Sequence, residues 1–188
     1  MLRFKQAGIN LFVAATLAVL AALPTAVAAA SAAEISRDAD AALAKLYREV
    51  PAAKSLASGA KAVLVFPSVV KGGLIVGGQY GDGALRKGGK TVGYYRTAAV
   101  SYGLQAGAQT FGYALFFMTD SALKYLDSSD GWEVGVGPSV VVLDEGLARS
   151  LTTTTARDDV YAFIFGQKGL MAGVGLQGSK ITRIHPGK

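Results

Sequence analysis

Eight basic side chains stand where they could bind a phosphate-bearing surface. Six fall in or near predicted turns between glycine-rich strands, and two lie on the polar side of a predicted N-terminal helix. Each contributes about 1 kcal/mol near an anionic lipid leaflet, so three or four supply only roughly 3 to 4 kcal/mol together. Ordinary solvated turn charges remain the alternative. The residues are Lys71, Arg86, Lys87, Lys90, Arg96 and Lys168 in the turns, with Lys45 and Arg48 on the helix.

Useful affinity would also need apolar insertion or the clustering of several molecules. Two apolar features offer insertion, namely the helix from Ile35 to Val50 and a groove lined by four aromatic side chains. For the helix we favour packing on the core, because most amphipathic helices face their own domain. The aromatic residues are Tyr94, Tyr95, Tyr102 and Phe111.

Catalytic, cofactor and metal patterns are weak. Residues 84–91 match a relaxed phosphate loop, but a strand pattern follows where a helix is needed, so a basic hairpin is expected. Residues 173–178 match a dinucleotide fingerprint, but too few residues follow for a βαβ unit. His185 lies beside the C-terminus, and Asp127, Asp130 and Glu133 fit a turn better than a calcium loop. We therefore expect no enzyme, no cofactor and no metal.

The N-terminal residues have the form of a secretory signal peptide. Arg3 and Lys5 precede the apolar stretch from Leu11 to Leu23, and Pro24 with small residues follows. Residues 1–32 are expected to be cleaved, although an uncleaved anchor is the alternative. Without Arg3 and Lys5, 17 of the 19 basic residues remain against 13 acidic ones, a net charge of +4. This mildly basic balance does not indicate a nucleic-acid binder, and the absence of cysteine excludes disulfides and Cys-anchored lipidation.

The exported part, residues 33–188, is expected to be one domain of the α+β class. Spacings of three and four predict an amphipathic helix from Glu34 to Val50, then a shorter one that ends at a left-handed Gly59 cap. A later helix should begin at Thr119. The rest predicts a curved antiparallel sheet approaching a barrel, with the helices packed on it. The strand runs are 62–66, 74–80, 84–87, 91–97, 100–106, 111–118, 132–136, 139–143, 151–155, 160–165, 170–176 and 179–184.

Two similar Lys-Gly segments sit a hundred residues apart. One centres on Lys71-Gly72-Gly73 and the other on Lys168-Gly169-Leu170, and each suggests a strand, a basic turn and a strand. Glycine in strands marks bends, bulges or close approach of another backbone. Together with Phe66-Pro67, residues 101–109, Gly137-Pro138, residues 160–163 and Gly178-Ser179, these segments resemble the SYLF domain family over about residues 34 to 186.

The SYLF resemblance implies a lipid-binding module, found in eukaryotes on endocytic adaptor proteins and also described as actin-binding. It implies phosphoinositide recognition in those relatives, whereas export from a bacterium favours other anionic phospholipids. We expect a non-enzymatic, peripheral membrane protein of the periplasm or cell surface, with actin an unlikely partner there. The alternatives are a small outer-membrane β-barrel or a structural cell-envelope protein, although the short runs broken by Gly do not show regular barrel alternation. The sequence does not determine the oligomeric state.

Overall fold

The computed structural model describes residues 30–73, 76–102, 107–127, 131–143, 157–169, 176 and 178–187. The predicted strands at 151–155 and 170–176 lie outside this part, except for Leu176. Three helices and eight strands are found within it. They are α1 Ala32–Glu49, α2 Pro51–Gly59, β1 Ala62–Gly73, β2 Val76–Lys87, β3 Lys90–Tyr102, β4 Gly107–Phe117, α3 Asp120–Leu126, β5 Trp132–Glu133, β6 Val140–Leu143, β7 Val160–Gly169 and β8 Lys180–Ile184.

Helix α1 begins at a capping box. The Ser31 hydroxyl accepts a hydrogen bond from the Glu34 backbone N–H, and the Glu34 carboxylate accepts one from the Ser31 N–H at 2.8 Å. Hydrogen bonds that the Ser31 N–H and the Ser31 hydroxyl donate to the Glu34 carboxylate lower the pKa of Glu34. The predicted apolar stripe is confirmed as a buried face consisting of Ile35, Ala39, Leu43 and Leu46.

The two shorter helices test the predicted caps. Thr119 caps α3 by accepting a hydrogen bond from the Ala122 N–H, as predicted. The left-handed cap at Gly59 is wrong, because Gly59 is the last residue of α2 and Ala60 has an extended backbone with φ −75°. Only Ala60 and Lys61 lie between α2 and β1, and the extended backbone of Ala60 already leads towards the strand. No helix in the described part of the chain is long and apolar enough to cross a membrane.

The eight strands form one strongly curled, half-barrel sheet, which confirms the predicted architecture. Their order is β5-β8-β3-β2-β1-β4-β7-β6, and the neighbours are antiparallel except for the parallel edge pair β6 and β7. Trp132 on edge strand β5 lies 5.7 Å, centroid to centroid, from Phe117 on β4. Five strand intervals separate β5 from β4, so their side chains can touch only across the inside of the curled sheet. The face that carries Trp132 and Phe117 is therefore the concave one.

Each face of the sheet carries its own core. The concave face holds Leu64, Tyr95, Tyr113 and Trp132, with α3 packed at its rim. The convex face carries α1 and α2, whose apolar stripes cover a set of side chains from the same strands. That set includes Val63, Val65, Ala84, Ala114, Phe116, Tyr161, Phe163 and Phe165.

Strands β1 and β7 each contain a one-residue bulge, and the two bulges flank β4. In β1 the register shifts between Phe66 and Val69, and in β7 it shifts between Phe165 and Lys168. Bulges bend a strand and increase its twist. The duplicated segments thus correspond to paired bends on either side of one strand.

Gly83 on β2 lies against the bulged strand, and we predict that Gly83→Ala lowers the free energy of unfolding by about 1–3 kcal/mol. A Cβ there would lie 2.3 Å from the Val65 carbonyl oxygen and 2.7 Å from Cδ1 of Phe66. Gly78→Ala on the same strand is the control, since its nearest neighbour would be 3.9 Å away. Urea unfolding of both variants tests this, and equal midpoints would contradict it.

Candidate functional site

The two lysines of the duplicated segments lie at strand ends beside β4, which corrects their expected placement in turns. Lys71 belongs to β1 and pairs with Gln109, whereas Lys168 belongs to β7 and pairs with Thr110. Because side chains alternate along a strand, adjacent pairs face opposite sides of the sheet. Lys71 is therefore half-buried on the concave face beside buried Gln79 and Gln109, and Lys168 is exposed on the convex face.

Lys168 instead shares a cleft with Lys45. This lysine cleft, of about 450 Å³, lies between α1 and the two bulges. Helix α1 supplies Lys45 and Asp38, the β1 bulge supplies Pro67 and Ser68, and the far wall includes Thr110, Phe165, Gly166 and Lys168. Two predicted basic residues from distant parts of the sequence thus meet at one opening on the convex face.

The lysine cleft could accept an anion, because the ion pair of Lys45 within it is weak. Lys45 contacts the Glu49 carboxylate at 3.8 Å, and both side chains are about half exposed. Such a pair contributes little and exchanges readily with solvent. Asp38 pairs with Arg37 at 3.2 Å. Lys45 and Lys168 line the cleft together with the apolar side chain of Phe165, and this combination is suited to a phosphate group attached to an apolar chain.

The family model described as Las17-binding protein actin regulator, of the Ysc84 or SYLF domain, matches residues 98–185. The resemblance to the SYLF family is confirmed. The match runs from the second half of β3 through β8, so it includes Lys168 but not α1 with Lys45. The SYLF family is associated with lipid and actin binding. No match was found among curated proteins.

Arg86 and Arg96 of this SYLF-like chain are held by carboxylates within the fold. Arg86 is bound to Asp40 of α1 at 2.6 Å, to the Gly89 carbonyl oxygen at 2.8 Å and to the Thr91 hydroxyl. Arg96 donates two hydrogen bonds to Asp82, at 2.8 and 3.0 Å. Both guanidinium groups already have anionic partners, so their first role is to connect elements.

The other three predicted basic residues are exposed outside the lysine cleft. Lys87 and Lys90 flank the β2–β3 hairpin, at the end of the sheet away from Lys168. Gly88 and Gly89 have positive φ there, as tight hairpins require, and this confirms the hairpin over the phosphate-loop interpretation. Arg48 lies one turn beyond Lys45 on α1.

The predicted aromatic groove is not formed by the residues that the structure describes. Tyr95 and Phe111 are buried on the concave face, whereas Tyr94 packs under α1 on the convex face. Adjacent strand residues point to opposite sides, so Tyr94 and Tyr95 cannot line one groove. The Tyr102 side chain lies outside the described residues.

Other candidate chemistry has a structural explanation. Asp127 accepts hydrogen bonds from Tyr95 at 2.5 Å and from Arg183 at 3.2 Å. Burial and this carboxylate raise the pKa of Tyr95, which therefore stays neutral. Among the described residues no group of three or more acidic or His side chains could hold a metal ion. His185 is exposed beyond β8.

Sequence reasoning missed several members of the lysine cleft, including Asp38, Ser68 and Thr110. Asp38 precedes Lys45 by two helical turns, so helical periodicity could have placed both on one side of α1. Ser68 and Thr110 become neighbours only through the β1–β4 pairing. The sequence carries no local signal for that pairing.

Proposed function

We propose that this chain is a non-enzymatic domain that binds anionic phospholipid at a membrane surface. The observation that carries the proposal is the meeting of Lys45 and Lys168 at one cleft with an apolar wall. A lipid phosphate offers the negative charge that two ammonium groups attract, and the attached chains prefer the apolar wall. The lipid association of the SYLF family supports the same function.

The binding strength should be modest for a single molecule. Lys45, Lys168 and neighbouring Arg48 supply about 3 kcal/mol together if all three reach the surface, since each basic residue contributes about 1 kcal/mol. Exposed Lys87 and Lys90 lie at the other end of the sheet and would contact the same flat bilayer less readily. Apolar contact or clustering must therefore supplement these charges.

We further propose that the domain acts outside the cytoplasm of a bacterium. This rests on the signal-peptide form of residues 1–32, with Arg3 and Lys5 before an apolar stretch and small residues after Pro24. In that compartment phosphatidylglycerol and related lipids are the expected ligands. The matched family's description as an actin regulator makes actin binding the second candidate function. An actin co-sedimentation assay tests that second candidate.

Co-sedimentation with vesicles tests lipid binding. We expect the protein to pellet with phosphatidylglycerol-containing vesicles and to remain in the supernatant with pure phosphatidylcholine vesicles. Binding should rise with the anionic fraction, because the charges act together on one surface. Equal pelleting with both vesicle types would contradict the proposal, as would no pelleting with either.

A further inference from the structure

The described residues cover only half of the convex face of the sheet. Helices α1 and α2 pack on the half that carries Val65, Ala84 and Phe163. Beyond the two bulges no helix of the described residues covers the same face, which continues through the glycine-rich ends of β1 and β2 and the second half of β3. We call this second half the bare face, and its central residues are Val70, Val76, Tyr80, Ala98 and Val100.

The strand register places these side chains together. Val70 pairs with Tyr80, Tyr80 pairs with Ala98, and Gly78 pairs with Val100. Directly paired residues point to the same side, and so do residues two apart on one strand. The relative exposures are 55% for Val70, 56% for Val76, 49% for Tyr80 and 68% for Val100. Four large apolar side chains in one cluster indicate a contact surface, whereas scattered ones would not.

Basic side chains stand at both sides of the bare face. The row that contains Val70 and Tyr80 ends at Lys168 on β7 and reaches Lys180 on β8. Five strand intervals separate these lysines, which is about 24 Å along the sheet. Arg96 lies on the same face, with its guanidinium carbon 4.8 Å from the centroid of the Tyr80 ring.

The bare face is continuous with the lysine cleft, because Lys168 and Thr110 belong to both. Partial burial and the nearby Asp82 raise the pKa of Tyr80. Tyrosine and lysine beside small and β-branched apolar residues match the layered polarity of a membrane interface. The acidic groups described on this face are Asp82, which is bonded to Arg96, and Glu133 at the edge.

We infer that the bare face is the surface by which the domain inserts into the interface of an anionic bilayer, with Val70, Tyr80 and Val100 entering among the acyl chains. The inference rests on the proposed lipid binding and deepens it, since the lysine cleft then holds a headgroup at the edge of the inserted surface. A second copy is a poorer occupant, because face-to-face packing would bring two sets of Lys168 and Lys180 together.

A tryptophan placed on the bare face tests the insertion. The full chain is expressed, and the protein is purified with or without residues 1–32, as the expression host processes it. It is then mixed with phosphatidylglycerol vesicles that contain lipids brominated on their acyl chains. We expect the added emission of Val100→Trp to shift to the blue and to be quenched. The native Trp132 is buried and supplies the same background in every sample.

Val92→Trp is the matched control, because Val92 is an exposed valine at the other end of β3. Its added emission should be neither shifted nor quenched. Val70→Trp repeats the measurement from β1 should the first variant fold poorly. In addition, Tyr80→Ser combined with Val100→Ser should weaken vesicle binding about tenfold, and the loss should persist at high salt, because apolar transfer is not screened.

The outcomes separate the two proposals. If the parent binds anionic vesicles while tryptophan at positions 100 and 70 stays unquenched, the insertion is wrong and the lipid-binding function stands. A blue shift that grows with protein concentration without lipid would assign the face to a second copy and also overturn the insertion. If the parent binds no vesicles, both proposals fail.

Discussion

Lys45→Glu combined with Lys168→Glu should weaken binding to anionic vesicles roughly 700-fold. Each reversal removes an attraction of about 1 kcal/mol and adds a repulsion of similar size, and each 1.4 kcal/mol is a factor of ten. Both lysines are at least partly exposed, so the fold should change by no more than about 0.5 kcal/mol for each substitution. A vesicle titration followed by sedimentation measures the effect, with circular dichroism to check folding.

Lys124→Glu is the control for net charge. Lys124 is exposed on α3, which packs on the concave side, away from the lysine cleft. The Lys124→Glu variant should bind anionic vesicles nearly as well as the parent. If the double variant binds like the parent while folded, the lysine cleft is not the lipid site. If one Lys124 reversal weakens binding as strongly, only the overall charge matters.

Leu46→Asp should lower the free energy of unfolding by about 4 kcal/mol. Leu46 is fully buried where α1 packs on the convex face, so the change leaves a cavity and an unpaired carboxylate in an apolar site. Ala44→Asp, at an exposed position of the same helix, should cost far less. Chemical denaturation of both variants measures the difference.

The same pair of variants separates two roles for α1. A helix that left the sheet to insert in a membrane would tolerate Leu46→Asp in the folded state but lose vesicle binding. The packing described here predicts the opposite, namely a destabilised fold. A Leu46→Asp variant that melts with the parent would show that α1 is not part of the core.

The sequence predicts elements whose signals are local. The α1 stripe repeats every three or four residues, and Thr119 caps α3 directly, so both could be found without tertiary information. Gly59 failed as a cap because glycine permits a left-handed conformation but does not require it. The Lys-Gly repeat correctly indicates bent strands, although the bends are bulges that come before the lysines.

The site could be predicted only in part, because strand register decides it. The sequence alone pairs Lys71 with Lys168, since they hold the same place in a repeat. In the structure their partners on β4 are the adjacent residues Gln109 and Thr110. The two lysine side chains therefore lie on opposite faces of the sheet. Lys45 then replaces Lys71 beside Lys168. A register offset of one residue has no signature in composition or spacing.

Long-range ion pairs also changed the interpretation of the basic residues. Arg86 and Arg96 resemble free turn charges in the sequence, but Asp40 and Asp82 bind them in the fold. Asp82 pairs with Arg96 directly across β2 and β3, so their contact follows from the hairpin. Asp40 reaches Arg86 only because α1 packs over β2.

The most direct test of the central claim is the salt dependence of vesicle binding by the parent and the Lys45→Glu, Lys168→Glu variant. At physiological ionic strength charges are screened beyond about 8 Å, so binding carried by the lysine cleft weakens as salt increases. We predict that the parent's affinity for phosphatidylglycerol vesicles falls steeply with salt and that the variant's weak residual affinity hardly changes. Equal salt dependence for both proteins, or parental binding that salt leaves unchanged, would contradict the account.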